Sequence, residues 1–219
     1  MRLANVKFEG RARPALVEDD QLRLLETDSV ASALSLIASG QDLPLGSQVP
    51  IGSAELLAPI GRESNFFCIG LNYYSHMEEA NLPKPQHPIV FSKYPSVLVG
   101  PSDDVLLPNT SKMIDWETEL GVVIGRPVRE ADVEQAADAI GGFTVVNDVS
   151  ARDYQLHESQ WIPGKNVESS TPVGPWIVTV DELGPNPDLA LTTRVGGVVR
   201  QDGRTTDQIF TPAEVVAYI

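Results

Sequence analysis

The clearest sequence signal for a β-strand lies in residues 115–124, Asp115-Trp116-Glu117-Thr118-Glu119-Leu120-Gly121-Val122-Val123-Ile124. Apolar and β-branched residues fill its second half, as in strands that pack against a core. Because side chains alternate faces along a strand, Glu117 and Glu119 project from the same face, with Cβ atoms about 6–7 Å apart. The segment therefore predicts a strand that places two carboxylates side by side.

Two interpretations of this acidic pair stay open on the motif alone. Two carboxylates that enter an apolar strand on one side repel each other, and burying them unpaired is unfavourable. A divalent cation between them would remove both problems. An edge strand with a solvated acidic face explains the pair equally well.

A third carboxylate, that of Asp148, favours the metal interpretation. Asp148 ends another apolar strand, Gly142-Phe143-Thr144-Val145-Val146-Asn147-Asp148. Two glutamates and one aspartate form an all-oxygen set, which suits Mg²⁺, Mn²⁺ or Ca²⁺ rather than zinc. Asp153 is a competing third ligand, but we expect it to form an ion pair with the adjacent Arg152 instead.

Residues 62–219 contain further short stretches of β-branched and aromatic residues between turn signals. The predicted strands are Phe66–Leu71, Ile89–Lys93, Val105–Leu107, Glu117–Ile124, Phe143–Asp148, Trp176–Val180 and Leu191–Val195. The turn Gly196-Gly197 joins the last strand to Val198–Gln201 as a hairpin. A helix is predicted over Glu130–Ile140, with Val133, Ala136, Ala137 and Ile140 on one face.

Residues 1–61 differ from the rest of the chain in their sequence pattern and are predicted to form a small N-terminal domain. Asp19-Asp20 indicates a hairpin turn, because short polar side chains tolerate tight-turn dihedral angles. The stretch Ser29–Ser39 predicts a helix that is capped by Asp28 or Ser29. We place the boundary near Gly61, so that residues 62–219 form the second, catalytic domain.

Composition and charge limit the class of protein. The chain has 219 residues, and its 17 glycines and 17 prolines favour turns and short strands, which indicates a β-rich α+β fold. Its formal charge of −14 argues against a nucleic acid partner. With no apolar run of about 18 residues and no signal peptide at Met1, we expect a cytoplasmic protein with no membrane attachment.

A histidine and a glutamate lie three residues apart in Asn72-Tyr73-Tyr74-Ser75-His76-Met77-Glu78-Glu79. On a helix, Glu79 would lie beside His76, fix its tautomer and raise its basicity, which is typical of a general base. Such pairs are also common on exposed helices, and the motif alone favours that reading. His87 and His157 are expected at the surface.

A lone lysine stands among glycine and proline residues in Trp161-Ile162-Pro163-Gly164-Lys165. The surrounding glycine and proline residues indicate that the lysine's positive charge is held in a defined position, close in sequence to Gln155. A solvated loop lysine is the alternative, and for an isolated lysine it is the more common case.

The ordered motifs of this chain resemble those of the fumarylacetoacetate hydrolase family over about residues 65–219. They are Gly70-Leu71-Asn72-Tyr73 with His76 and Glu79, Asp115-Trp116-Glu117-Thr118-Glu119, Asn147-Asp148-Val149-Ser150-Ala151-Arg152-Asp153, and Gly164-Lys165. Four motifs in this order are more specific than any one of them. The resemblance implies the family's mixed β-sandwich roll behind a smaller N-terminal domain, usually as a homodimer.

The resemblance also implies roles for individual residues. It implies Glu117, Glu119 and Asp148 as ligands of Mg²⁺ or Mn²⁺, with Ca²⁺ as a further option. His76 and Glu79 look like the catalytic dyad, with Lys165 as a further catalytic residue. Tyr73, Gln155 and Lys165 match positions that contact the substrate.

The activity implied by the resemblance is hydrolysis of a carbon–carbon bond in a diketo acid or acylpyruvate-type substrate. An isomerase or decarboxylase that acts on 2-hydroxydienedioate- or oxaloacetate-type acids through the same enolate is the alternative. A metal-binding relative without activity is a third possibility. The sequence does not separate the three.

The last segment predicts a helix that starts at a capping box, Thr211-Pro212-Ala213-Glu214. The sequence ends at Ile219, about two turns later, and Val215, Val216 and Ile219 require an apolar partner. The family resemblance implies further strands beyond this point. We therefore expect the natural gene product to continue past Ile219, and the C-terminal strands of the fold to be missing from this chain.

Overall fold

The computed structural model describes residues 1–219 and contains fifteen β-strands and seven α-helices. The strands are β1 (Arg2–Phe8), β2 (Arg11–Glu18), β3 (Gln21–Leu25), β4 (Leu45–Pro50), β5 (Glu55–Leu57), β6 (Phe66–Gly70), β7 (Ile89–Lys93), β8 (Leu98–Val99), β9 (Ile114–Asp115), β10 (Thr118–Ile124), β11 (Ile140–Asn147), β12 (Ser150–Ala151), β13 (Thr171–Thr179), β14 (Ala190–Val195) and β15 (Val198–Arg204). The helices are α1 (Val30–Ala38), α2 (Tyr74–Glu79), α3 (Val133–Ala139), α4 (Arg152–Gln155), α5 (Ile162–Lys165), α6 (Val180–Leu183) and α7 (Pro212–Tyr218).

Nine strands form one large sheet, in the order β10-β11-β13-β1-β2-β3-β4, with β5 also paired to β1 and β8 to β13. All of its ladders are antiparallel except that of β8 with β13. Three two-stranded pairs complete the fold: β9 with β12, β14 with β15, and β6 with β7. The predicted β-rich α+β class is confirmed.

Local turn and cap signals in the N-terminal segment form as predicted. Asp19 has a φ of 55° in the turn between β2 and β3, where Glu18 faces Gln21. The hydroxyl of Ser29 accepts a hydrogen bond from the Ser32 amide and so caps α1. The sheet continues across the predicted boundary near Gly61, because β1 pairs with β13. The division into two domains stays a prediction.

Two predictions of local structure are wrong or displaced. Val105–Leu107 is not a strand, and Leu106 and Leu107 are 57% and 64% exposed, so no core holds the segment extended. In α3 the buried positions are Ala136 and Ala139, whereas Val133, the first residue of the helix, is 48% exposed. Both features depend on distant packing, which the local sequence pattern does not reveal.

The C-terminal helix begins as its capping box predicts. The Thr211 hydroxyl accepts from the Glu214 amide, and the Glu214 carboxylate accepts from the Thr211 amide. Helix α7 packs against α3. Val215 and Val216 are partly buried, whereas Ile219 is 56% exposed. No helix of the protein is both long and apolar enough to cross a lipid bilayer.

Apolar clusters lie on both faces of the large sheet. One packs α1 against the sheet through Leu3, Leu25, Val30, Ala33, Leu34 and Ile177, and a second contains Ala4, Val6, Ala15, Leu22 and Leu24. A third joins β8 to β11 and β13 through Val97, Leu98, Val146 and Val173. This last cluster supports the ends of β11 and β13, close to the carboxylates of the predicted site.

Candidate active site

A large cavity of about 1540 Å³ contains every residue that the sequence assigned to a site. Asp148, Lys165 and Gln155 are buried in its wall, whereas His76 and Glu79 are exposed. About half of the residues that line the cavity are hydrophobic. It therefore combines an interior cluster of charges with a more open edge that carries the histidine.

The antiparallel pairing of β10 with β11 brings the three acidic residues to neighbouring strand ends. Thr118 faces Asn147 and Glu119 faces Val146, so the start of β10 lies beside the end of β11. The Asp148 amide donates to the Glu117 carbonyl over 2.8 Å, just outside the paired strands. We call Glu117, Glu119 and Asp148 the carboxylate site.

Two buried lysines neutralise part of the carboxylate site. The Lys165 ammonium contacts the Glu117 carboxylate and lies 2.9 Å from Oδ2 of Asp148, while Lys93 contacts Oδ1 of Asp148. Burial alone raises the pKa of Asp148, but the two ammonium groups outweigh it and hold that pKa below its ordinary value. Asp148 is therefore ionised in the folded protein at neutral pH.

Glu119 stands apart from this ion-pair network. No hydrogen bond or ion pair joins its carboxylate to another group of the protein. Burial raises its pKa to about 8, and the negative charges of Glu117 and Asp148 contribute to that increase. In the metal-free protein Glu119 is therefore largely protonated at neutral pH, as expected for a buried carboxyl group that no cation contacts.

The donor set fits a hard divalent cation in its chemistry, since it consists of three carboxylates of which one is unpaired. The side chains themselves are arranged differently, because no three acidic, histidine or cysteine groups are gathered closely enough to hold a metal ion. The Lys165 ammonium lies between Glu117 and Asp148. The assignment of the three residues as metal ligands stays a prediction.

His76 and Glu79 lie on α2, as the sequence pattern requires. Both side chains are exposed and both line the cavity, but no hydrogen bond joins them. The close imidazole–carboxylate contact that would fix the histidine tautomer is therefore absent from this structure. Their role as a catalytic dyad stays a prediction.

Gln155 is held with its amide in one orientation. Its Oε1 accepts from the Arg152 guanidinium over 2.8 Å, and because a guanidinium only donates, the atom at that place is the oxygen. The Gln155 NH₂ group is thereby left to donate elsewhere. The absence of a side chain at Gly164 lets α5 lie against this residue, since a Cβ at Gly164 would be 2.4 Å from the backbone nitrogen of Gln155.

Tyr73 precedes α2 and lines the cavity near Glu119. Burial raises the pKa of its hydroxyl, and the Glu119 charge adds to the effect, so the phenol stays protonated. The Gln208 side chain donates weakly to this hydroxyl over 3.4 Å. Tyr73 is thus placed to offer a hydrogen bond inside the cavity.

Arg152 does not form the expected ion pair with Asp153. Its guanidinium contacts Glu117 and lies 2.8 Å from Oδ2 of Asp115. Asp153 instead accepts from the Ser111 hydroxyl over 2.6 Å. Neighbours along a chain do not necessarily point to the same side, and here the turn into α4 directs Arg152 towards β9 and the site.

Two residues of the site were missed by the sequence reasoning. Lys93 has a side chain with 0% exposure and contacts Asp148, and the only sequence signal for it is a charge at the end of the apolar strand Ile89–Lys93. Cys68 also lines the cavity. Burial raises the pKa of the Cys68 thiol, with Asp148 adding to the effect, so it is a poor nucleophile at neutral pH.

Comparison with known proteins supports the resemblance. The family model described as fumarylacetoacetate (FAA) hydrolase C-terminal matches residues 65–219. The mitochondrial oxaloacetate tautomerase of Homo sapiens is 37% identical over 199 residues, which are 90% of this chain and 62% of that protein. The chain thus spans less than two thirds of the length of that curated relative.

Solved structures share the fold over the whole chain. The 5-carboxymethyl-2-hydroxymuconate delta-isomerase of Mycobacterium smegmatis has a TM-score of 0.85 at 30% identity, covering 100% of this chain and 81% of that one. The fumarylacetoacetate hydrolase of Exiguobacterium antarcticum has a TM-score of 0.85 at 29% identity, covering 99% and 80%. These likenesses and the match over residues 65–219 show that the chain belongs to the fumarylacetoacetate hydrolase family.

Proposed function

We propose that this protein is a divalent-metal-dependent hydrolase that cleaves a carbon–carbon bond in a diketo acid or acylpyruvate-type substrate. The observation that carries the proposal is the unpaired Glu119 carboxylate beside Glu117 and Asp148 in the wall of a large cavity. Mg²⁺ or Mn²⁺ held by these three residues would act as a Lewis acid on the 2-oxo acid end of the substrate.

Three cationic or hydrogen-bonding groups are suited to the substrate's oxygens. Lys165 supplies a buried positive charge, which favours the negative charge that develops on an enolate oxygen. The free NH₂ group of Gln155 and the protonated hydroxyl of Tyr73 donate hydrogen bonds. All three groups line the same cavity.

His76 acts as the general base in this proposal. Its unprotonated ring nitrogen takes a proton from water, and the hydroxide attacks the carbonyl carbon distant from the carboxylate end. The bond between that carbonyl carbon and the neighbouring methylene then breaks, which releases a carboxylic acid and the enolate of a 2-oxo acid. Protonation of the enolate carbon completes the reaction. Glu79 lies on the same helix and would orient His76 once the two side chains come into contact.

Isomerisation or tautomerisation is the second candidate, because relatives of this chain carry those names. In that reaction a proton moves between carbon and oxygen and no water is consumed. The same set of side chains stabilises the enolate in both reactions. Decarboxylation of an oxaloacetate-type acid passes through the same enolate.

The test is a product analysis with Mn²⁺ and three substrate types: an acylpyruvate, oxaloacetate and a 2-hydroxydienedioate. Hydrolysis of acetylpyruvate gives acetate and pyruvate in equal amounts, whereas tautomerisation changes the enol absorbance without releasing pyruvate. His76→Ala should abolish turnover, and His157→Ala, at an exposed histidine, should not. Absence of turnover on all three substrates with Mn²⁺ present would contradict the proposal.

A further inference from the structure

The hairpin of β14 and β15 reaches the carboxylate site through one side chain, that of Gln201. Strand β10 is the last strand of the large sheet, paired on one side with β11. On its other side the Gln201 Oε1 accepts from the Thr118 amide over 2.8 Å, and the Gln201 Nε2 donates to the Thr118 carbonyl over 2.9 Å. One side-chain amide thus makes the two hydrogen bonds that a neighbouring strand would make.

The orientation of the Gln201 amide follows from its partners. A backbone N–H only donates and a backbone carbonyl only accepts, so the oxygen and nitrogen of the amide have one possible assignment. The Thr193 hydroxyl also donates to Oε1 over 3.0 Å, and the Thr118 hydroxyl hydrogen-bonds to that of Thr193. Every polar atom of this connection is therefore satisfied, which indicates a rigid contact.

The residue that Gln201 holds lies between two of the three carboxylates. Thr118 separates Glu117 from Glu119, and the Glu117 amide donates to Oδ1 of Asn147 over 3.1 Å. The backbone around the acidic pair is thus fixed from β11 on one edge and from β15 on the other. No other side chain hydrogen-bonds the Thr118 peptide groups.

We propose that Gln201 is a positioning residue that sets the backbone of Glu117 and Glu119 for binding of a divalent cation. The proposal rests on the proposed function of the carboxylate site. Without Gln201, the amide and carbonyl of Thr118 face the open edge of β10, and the spacing between the two carboxylates is less restricted. Residues that hold metal ligands in place typically change metal affinity by about 10–100-fold when they are replaced.

The test compares Gln201→Met with Gln48→Met by titration with Mn²⁺. Both variants remove one side-chain amide. Gln201, on β15, lies beside β10 at one edge of the large sheet, whereas Gln48 lies exposed on β4 at the opposite edge. We expect Gln201→Met to raise the Kd for Mn²⁺ by about tenfold or more, with kcat at saturating Mn²⁺ changed much less. Gln48→Met should leave both quantities unchanged.

Gln201→Asn serves as the second variant, because it keeps a neutral amide but shortens the side chain by one methylene, so that the amide no longer reaches both peptide groups of Thr118. Its Kd for Mn²⁺ should therefore also be raised above that of the wild type. A Kd within twofold of the wild type in Gln201→Met, whether or not the melting temperature falls, would overturn the proposal, since a purely structural residue leaves affinity per folded molecule unchanged.

Hydrogen exchange of the Thr118 amide separates this inference from the proposed function. In metal-free protein, exchange at Thr118 should be faster in Gln201→Met than in the wild type and unaffected by Gln48→Met. If the wild type binds no Mn²⁺, the proposed function fails, and with it the role of Gln201 in cation binding. Unchanged exchange at Thr118 in Gln201→Met would contradict the backbone contact itself.

Discussion

The N-terminal part of the sheet and the carboxylate site bury different kinds of side chain. In β1–β3 and α1 the buried residues are aliphatic, with Leu3, Leu22 and Leu24 at 0–1% exposure. Around the carboxylate site, Lys93 and Lys165 are both 2% exposed, and Asp148 is equally buried. The first region is built from apolar contacts, and the second from opposite charges that are shielded from water.

The energetics of the two regions differ accordingly. Burying an aliphatic side chain contributes about 1.5–3 kcal/mol. A buried ion pair contributes little in net terms, because desolvation of both charges offsets their attraction, although removing one partner is strongly destabilising. Charges are therefore not placed in the second region for stability, and their clustering in a cavity wall is typical of a functional site.

The largest effect is expected from an exposed residue of the site. His76→Ala should lower kcat by about 10²–10⁴-fold, because a general base acts in the chemical step, and should leave the melting temperature unchanged since the side chain is exposed. Steady-state kinetics with Mn²⁺ and a thermal unfolding scan measure the two quantities. A near-normal kcat would show that His76 is an ordinary surface residue and not the general base.

Leu22→Ala tests the apolar region in the opposite way. Leu22 is wholly buried on β3 among Ala4, Val6, Ala15 and Leu24. Its truncation should lower the free energy of unfolding by about 2–5 kcal/mol, as measured by urea denaturation. Mn²⁺ affinity per folded molecule should stay the same. A change in that affinity would show that the two regions are coupled.

Lys93→Met probes the buried charges directly. Asp148 then loses one of its two ammonium partners, and we expect the free energy of unfolding to fall by about 3 kcal/mol, at the low end for breaking a buried ion pair because Lys165 remains. Lys7→Met is the matched control: it breaks the exposed contact with Glu55 and should change stability by less than about 1 kcal/mol. Equal effects from the two lysines would remove the distinction between buried and surface pairs.

A further prediction concerns the pH dependence of the metal-free protein. The unfolded chain releases the Glu119 proton near the ordinary pKa of 4.5, but the folded protein holds it up to a pKa of about 8. The stabilisation from protonated Glu119 is complete below pH 4.5 and is lost as the pH rises through about 8.

Glu119→Gln does not titrate, so its stability relative to the wild type should increase between these two pH values and level off above them. The difference between a pKa of 4.5 and one of about 8 corresponds to a gain on the order of 5 kcal/mol over this range, as measured by urea denaturation in the presence of a chelator. A difference between the two proteins that is constant from pH 5 to pH 9 would contradict the raised pKa.

Local signals in the sequence predict local structure, but they do not predict contacts between residues that are distant in the chain. The turn at Asp19-Asp20, the Ser29 cap and the Gly196-Gly197 hairpin depend on a few adjacent residues, and all three form. Lys93 and Arg152 depend on contacts with residues 55 and 37 positions away in the chain. Such partners are set by the packing of strands, so the sequence did not reveal them.

The carboxylate site could be predicted from the sequence only in part. The alternation of the predicted strand Glu117–Ile124 indicated that Glu117 and Glu119 share a face, although β10 itself begins at Thr118, and the ordered motifs indicated Asp148 as their partner. That Lys165 lies between Glu117 and Asp148, and that Glu119 alone has no partner, follows only from the three-dimensional arrangement. Spacing along a strand predicts which acids meet, but not which cations reach them.

Calorimetric titration of the chelator-treated protein with Mn²⁺ tests most directly whether Glu117, Glu119 and Asp148 form a divalent cation site. The wild type and Glu134→Gln, at an exposed position on α3, should each bind one Mn²⁺ with the same affinity. Glu119→Gln, which replaces the unpaired carboxylate by a neutral group of the same shape, should show no measurable binding. Binding of one Mn²⁺ by Glu119→Gln with wild-type affinity, or no binding by the wild type, would contradict the account.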